Sequence, residues 1–465
     1  MFINFFVAFI VVIIVNGYSF SEELSDVLYD AYNYYPDVAK SKKELQISEK
    51  DLKISKTDFL PSVDFSASRG KDISKTFPDT SNRNVTSIDP SSFDIDVTQP
   101  LSFSKVLNLK QSKNKYRIAR LSLESTTQDV LLKASKAYYT VLKDFFLLDV
   151  SKKNEENLKK KLEATEKRFE FRDVTKTDVF QAKARLAEAI SKRIEAENNL
   201  EISISDFKKI VGRDPKINWF ESDDKNVIKS NPKDWSKFGI IPKTPKTLEE
   251  ALRVSLENNP EYVTLKLQHL NSKIDISKNN LSFAPELSLT GSVGKSLESS
   301  RAIERKDNYS VTAEVTVPLF NKGHNFLNLS KSRDAAITNL KAIESKRLEL
   351  THQIKSSWKK ISSTKASIES LEISVDSNIM AVEGVSREAG VGTRTTLNIL
   401  DAEKELTQSE SNLVNAQYQL ILSSFELLKL CGLLNFQYLN SLNFHPSLQG
   451  VECHSPISYK TVRSA

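Results

Sequence analysis

Leu24-Ser25-Asp26-Val27-Leu28 runs on to Tyr35-Pro36, and Leu248-Glu249-Glu250-Ala251-Leu252 runs on to Asn259-Pro260, the two prolines 224 residues apart. Phe59-Leu60-Pro61 returns as Phe283-Ala284-Pro285 at the same offset. Val97-Thr98-Gln99-Pro100-Leu101 returns as Val315-Thr316-Val317-Pro318-Leu319, offset by 218. Ala182, Leu186 and Gly212 return as Ala402, Leu406 and Gly432, offset by 220. Landmarks kept in order at nearly constant spacing mark an internal duplication. Generic coiled-coil similarity would not reproduce the prolines.

Each half reads helix, hairpin, long helix, turn, helix. The first helices are expected near Leu24–Asp58 and Leu248–Ser282. Phe93, Ile95 and Val97 alternate with Asp94, Asp96 and Thr98, and Tyr309, Val311, Ala313, Val315 and Val317 alternate with Ser310, Thr312, Glu314 and Thr316. This period of two specifies strands. Weaker runs at Val63–Ala67 and Leu287–Val293 bring the total to four strands in two hairpins. Gly70–Ser91 and Ser296–Asn308 read as long polar loops facing the cell exterior. The stretches Lys105–Phe171 and Asn325–Glu388 contain no proline. In the second, apolar residues from Ala336 through Leu340, Leu350, Ile354, Ile361 and Ile368 to Ile379 recur in steps built of threes, fours and sevens, a coiled-coil seam. Such a helix spans roughly 100 Å. Third helices are expected at Asp178–Val211 and Asn398–Cys431.

Four strands cannot close a membrane barrel, which takes at least about eight. The strand faces, one apolar and one bearing Asp94, Asp96, Thr312 and Glu314, suit lipid outside and water inside. Val311, Val315 and Val317 are assigned to lipid, Thr312 and Glu314 to the lumen. Three chains would supply a twelve-stranded barrel, continued by a tube of helices. The fold class is therefore mostly α with a small β part.

Composition narrows the function. With 66 basic and 60 acidic residues among 465, the charge is nearly balanced, and no basic patch interleaved with aromatics marks a nucleic-acid surface. Two Cys and five His give no zinc spacing. His445 and His454 beside Cys453 fit no standard site, and whether Cys431 pairs with Cys453 stays open. Gly291–Ser296 resembles a phosphate loop but has Leu289 where the pattern needs glycine, and is assigned to a strand end. No nucleophile, acid–base pair or cofactor motif converges, so no enzyme and no cofactor are expected. Phe2–Val15 is apolar and precedes Gly17, Ser19 and Ser21, which reads as a signal peptide, residues 1–21, cut after Ser19 or Ser21; a signal anchor is the alternative. The domain organisation expected is 22–212 for the first repeat, 213–246 for a connector anchored by Trp219 and Trp235, 247–433 for the second repeat and 434–465 for a tail.

The chain resembles the outer-membrane efflux protein family, of the TolC type. Val391-Gly392-Thr393-Arg394-Thr395 followed by Leu400-Asp401-Ala402 carries the resemblance most specifically. Arg168-Phe169, Thr177-Asp178-Val179 and the paired prolines, where family members break a helix, support it. The resemblance implies a homotrimeric channel-tunnel in outer-membrane lipid of a Gram-negative bacterium, with helices in the periplasm. It implies a passive exit duct for a tripartite efflux pump or type I secretion system, partnered by a periplasmic adaptor and an inner-membrane transporter. Adaptor docking maps to two turns, Arg172, Asp173 and Val174 in the first, and Gly390, Val391, Gly392 and Thr393 in the second. Arg172-Asp173 stand where the family usually keeps a glycine, which bears on the first contact. A periplasmic gate maps to Arg394 against Thr177 and Asp178, these two also being candidate N-caps. One turn on, Asn398 and Asp401 occupy positions acidic in the family, so that three copies of Asp401 would form a single carboxylate ring. A periplasmic adaptor or coiled-coil scaffold is the alternative function; it would need neither lipid-suited hairpins nor the duplication.

Overall fold

The computed structural model describes residues 24–76, 84–216, 242–300 and 302–436. The assigned signal peptide, Trp219, Trp235, His445, Cys453 and His454 lie outside the described residues. The first half runs α1 (Leu24–Tyr34), α2 (Pro36–Thr57), β1 (Ser62–Arg69), β2 (Asp72–Thr76), β3 (Asn84–Ile88), β4 (Ser91–Leu101), α3 (Phe103–Glu170) and α4 (Lys176–Val211). The second runs α5 (Leu248–Asn258), α6 (Pro260–Leu281), β5 (Glu286–Ser300), β6 (Ile303–Thr316), α7 (His324–Gly390) and α8 (Thr396–Leu430).

Each expected first helix is in fact two. Tyr35 and Asn259 take extended backbone (ψ 122° and 119°), and Pro36 and Pro260 open the next helix at its first turn. A proline has no N–H for the preceding turn and forces its predecessor out of the helical region, but fits the start of a new helix. In the second half Asn259 joins three elements. Its Oδ1 accepts from the Tyr262 N–H, and its Nδ2 donates to the Leu430 carbonyl at the end of α8. Ser255 Oγ donates to the same carbonyl.

Gly212 and Gly432, matched by the repeat, both take left-handed backbone at the end of a third helix. A Cβ on Gly212 would lie 2.5 Å from the Tyr34 ring, and one on Gly432 2.5 Å from the Asn258 carbonyl oxygen. The same joint, helix end against first-helix end, is built twice.

The sheet is antiparallel in the order β1-β4-β5-β6. Its register sorts the residues onto two faces. The rungs Ser62–Thr98–Thr290–Thr312, Asp64–Asp96–Ser292–Ser310 and Ser66–Asp94–Gly294–Asn308 share one face. Ser292 donates to Asp96 across it at 2.5 Å. The rungs Phe65–Ile95–Val293–Tyr309 and Val63–Val97–Gly291–Val311 share the other. In β4 the apolar face is the more open one, with Phe93, Ile95 and Val97 exposed and Asp94, Asp96 and Thr98 half-buried, while both faces of the edge strands β1 and β6 are exposed. Gly291–Ser296 lies within β5, with no helix after it.

The two expected loops are mostly strand. Within Gly70–Ser91, β2 pairs with β3 in a separate ribbon, Asp72 opposite Ile88 and Thr76 opposite Asn84. β5 continues to Ser300 and β6 begins at Ile303, with an irregular register from Leu297 to Ser300. Beyond the apolar band both faces carry polar side chains, so alternation fades while backbone pairing continues. An Arg305–Asp307 pair at 2.7 Å sits on this extension.

α3 and α7, of 68 and 67 residues, are the long helices. α3 packs along α2, α4, α6 and α8, and α7 packs along α6 and α8. The core lies where the halves meet. Tyr138, Tyr139, Leu142 and Phe146 of α3 pack with Val27 and Leu28 of α1, Phe207 of α4, and Ile421 and Phe425 of α8. Along the α7 seam Leu350, Ile354, Ile361 and Val375 are buried within the protomer, whereas Leu340 and Ile379 are exposed. The buried Cys431 has its thiol pushed up to about 12 by the apolar surroundings, which keeps it protonated.

Candidate functional site: the paired helix turns

α3 and α7 each end in a tight turn leading into α4 and α8. In the first turn Arg172 N–H donates to the Phe169 carbonyl and Asp173 N–H to the Arg168 carbonyl. In the second Gly392 N–H donates to Ala389 and Thr393 N–H to Glu388. Both are Schellman closures, which need one residue in left-handed backbone. Gly392 supplies it at φ 84°, and Arg172 at φ 61°. The departure from glycine thus leaves the turn geometry intact, at a cost of about 1–2 kcal/mol for a side chain in that region. Arg168 Nε binds Asp173 at 2.7 Å across the first turn, and Arg394 Nε binds Glu388 at 2.8 Å across the second.

The next helices open with matching capping boxes. Thr175 accepts from the Asp178 N–H while Asp178 accepts from the Thr175 N–H; Thr395 and Asn398 repeat the arrangement. The N-cap of α4 is therefore Thr175, not Thr177 or Asp178. The signal was legible in Thr175-Lys176-Thr177-Asp178, a Thr followed three residues on by an acid. Within one protomer Arg394 reaches Glu388 rather than Thr177 or Asp178, and Thr177 is exposed. The docking residues Arg172, Asp173, Gly390, Val391, Gly392 and Thr393 are exposed, and Val174 is half-buried. Phe171 and Val391, at equivalent positions of the two turns, are 84% and 78% accessible. These two apolar tips add Phe171 to the residues named from sequence.

Asp401 does not stand alone either. Its Oδ1 accepts from Arg185 Nη2 at 3.0 Å, an α4–α8 contact between the two hairpins that spacing along the chain could not disclose. Deeper in the bundle Glu403 of α8 is only 5% exposed and faces α3. Burial raises its pKa, opposed by the Lys161 charge and a hydrogen bond from Asn157. Glu410, two turns on, is raised by burial and by the Asp149 and Glu403 charges, opposed by Lys153. Lys161 also donates to Ser386 of α7 at 3.3 Å. Toward the turns the hairpins thus meet both through apolar contacts, Leu400 of α8 against Leu158 of α3 and Ala182 and Ala189 of α4, and through ionisable groups.

A carboxyl that binds its proton more tightly when folded stabilises the fold as pH falls from its raised value toward the ordinary 4.5, and charging it costs stability above that interval. Glu403→Gln is expected to raise thermal stability at pH 7 and to reduce the gain seen between pH 7 and pH 5. Calorimetry of wild type and variant at both pH values checks this; a variant less stable at pH 7 would count against the buried charge.

The duplicated frame, the two-faced sheet and the paired turns match one known family. Residues 27–213 and 251–433 match the model of the outer membrane efflux protein. The chain belongs to this family. It is 24% identical over 316 residues to the alkaline protease secretion protein AprF of Pseudomonas aeruginosa, covering 67% of the chain and 63% of that protein, just under two thirds of its length. It is 22% identical over 418 residues to the outer membrane efflux protein BepC of Brucella suis biovar 1, covering 89% and 86%. Among solved structures it is similar in fold to CusC, with a TM-score of 0.76, 14% identity, and coverage of 89% of this chain and 92% of that one. Membership of this family makes it an outer-membrane protein, and the similarity to CusC is one of fold.

Proposed function

We propose that three copies close head to tail into a single channel that serves as the passive exit duct of a tripartite efflux pump or type I secretion system. The observation carrying this reading is the sheet. It has one wholly polar face at mid-height, one exposed apolar face, and two open edges, β1 and β6. Open edges in lipid leave backbone groups unpaired, so β6 of one copy must meet β1 of the next. Four strands from each of three copies give twelve, enough for a wet lumen. The helices agree. α2 at one side exposes Ile47 and Ile54, and α7 at the other exposes Ile337, Leu340 and Leu348. Each stripe is set to be covered by a neighbouring copy. A soluble adaptor or scaffold would have no use for the apolar sheet face.

At the opposite end the two turns of each copy form the periplasmic tip. Phe171 and Val391, flanked by Arg172, Asp173 and Val174 and by Gly390, Gly392 and Thr393, offer an adaptor an apolar contact with a polar rim. The adaptor would link the duct to an inner-membrane transporter. Arg394 binds Glu388 through Nε alone. The rest of its fork can take Thr177 and Asp178 of a neighbouring copy, and charge-assisted bonds are roughly twice as strong as neutral ones. That contact would hold the entrance closed. Protein purified from outer membranes and placed in a planar bilayer is expected to conduct weakly, and Arg394→Ala to raise conductance several-fold. An unchanged conductance would remove Arg394 from the gate; a protein that never conducts would remove the duct.

A further inference from the structure

We propose that the outward face of the sheet binds the phosphate of a lipid headgroup in the outer leaflet, through Lys295, Arg305 and Arg69. The inference rests on the duct reading, in which the apolar face meets lipid and the helices lie on the periplasmic side.

Three observations carry it. First, the apolar face ends at a defined level. Its rungs Leu101–Leu287–Val315, Gln99–Leu289–Ala313, Val63–Val97–Gly291–Val311 and Phe65–Ile95–Val293–Tyr309 hold no charged residue. At ~3.4 Å per residue they cover about 20 Å along β5, near the ~25 Å apolar band of an outer-membrane barrel. Second, the charges that follow on this same face are mostly positive. The next two rungs are Ala67–Phe93–Lys295–Asp307 and Arg69–Ser91–Leu297–Arg305, three cations against one acid, and all four charged side chains are exposed. The polar face at this height is balanced, with Asp94 on one rung and Lys306 on the next. Third, α2, α3, α6 and α7 join the strands at their other ends. The charged rungs therefore lie at the end of the sheet away from the helices, which in the duct is the outer leaflet.

The chemistry suits a phosphate. Asp307 holds Arg305 through Nε at 3.0 Å and Nη2 at 2.7 Å, which leaves Nη1 for another acceptor. Lys295 stands opposite Asp307, so Arg305 is its diagonal neighbour across the β5–β6 pair. Such neighbours are about 7–8 Å apart, within reach of long side chains. A phosphate between them takes a point charge from the lysine and a directed donor from the arginine. Asp307 opposes the anion and limits its affinity. Arg69 stands on β1, the strand that β6 of a neighbouring copy must meet, so closing the ring brings a third cation to the Arg305 edge. At this height the aliphatic stems lie along acyl chains while the charged ends reach the headgroups. A phosphomonoester, with more charge than a phosphodiester, is the headgroup this surplus of cations favours.

The test uses the full-length protein purified in dodecyl maltoside. The probe is phosphatidic acid with a fluorescent acyl chain, the control is diacylglycerol with the same label, and inorganic phosphate is the competitor. Wild type is expected to retain phosphatidic acid and not diacylglycerol. Lys295→Gln should weaken retention about fivefold, the effect of one basic group near a charged lipid surface, and Arg69→Gln likewise. Asp307→Asn should strengthen it severalfold, a gain that damage to folding does not produce. Lys306→Gln, at the same height on the polar face, should leave it unchanged. The proposal is overturned if Lys306→Gln weakens retention as much as Lys295→Gln, if diacylglycerol is retained equally well, or if Asp307→Asn brings no gain. Displacement of the lipid by inorganic phosphate would mean a free-anion site and would overturn the lipid assignment. If Lys295→Gln fails to assemble, Asp307→Asn decides. Light scattering on the same samples keeps the two readings apart. A single chain per particle removes the duct, whereas three chains without a preference for the phosphorylated lipid remove only the lipid site.

Discussion

Val311→Arg is expected to prevent assembly, while Thr312→Arg, the next residue along β6, leaves assembled protein in the outer membrane. Val311 lies on the rung Val63–Val97–Gly291–Val311, the middle of the apolar face, and Thr312 lies on the polar rung with Ser62, Thr98 and Thr290. An Arg facing lipid at mid-depth costs about 2–4 kcal/mol per chain, which is about 6–12 kcal/mol for three copies. The same side chain in a wet lumen keeps its hydration. The amount of assembled protein in outer-membrane fractions measures the difference. Equal losses would mean that the faces are assigned the wrong way round or that neither meets lipid.

Ile354→Ala is expected to destabilise the helical part by about 2–5 kcal/mol, the range for emptying a packed core site. Ile354 is fully buried and packs in the cluster of Ala251, Ile361, Leu420, Leu427 and Cys431, where α5, α7 and α8 meet. Lys359→Ala, on an exposed face of the same helix, should stay within about 0.5 kcal/mol. Thermal unfolding of the two variants beside wild type decides it. A silent Ile354→Ala would mean that the seven-residue spacing of Ile354, Ile361 and Ile368 does not report a buried seam.

Much of this fold could be read from the chain. Proline, glycine and period-two alternation are local signals, and they located both halves, four strands and the long helices. The alternation of Phe93, Ile95 and Val97 with Asp94 and Asp96 gave the faces of β4 because alternate residues of a strand point to opposite faces, one apolar and one polar. Where both faces carry polar side chains the alternation disappears, so β2, β3 and the outer ends of β5 and β6 read as loops. The helix breaks at Pro36 and Pro260 were visible as residues but not as geometry, since a proline either kinks a helix or starts one.

The candidate site was legible in its chain positions and less so in its bonds. The turns fall where the sequence placed them, because Gly392 and the Thr-led caps are local. Arg172 could be seen to replace a glycine; that it adopts the glycine's backbone could not. Arg185–Asp401 and Glu403 facing Lys161 depend on which helices lie side by side, and nothing within one helix records its neighbour. The exposed Phe171 reads from sequence as one more apolar residue ending a helix.

The mass of the particle extracted from membranes bears on all of this at once. Outer membranes would be separated from inner membranes and soluble periplasm, extracted in mild detergent, and the protein mass determined by light scattering with the detergent subtracted. Three chains per particle, found in the outer-membrane fraction and lost in Val311→Arg, is the result expected of a barrel closed by β6 meeting β1. A single chain recovered from the soluble periplasm would contradict it, because two open sheet edges and an exposed apolar face would then have no lipid and no neighbour to cover them.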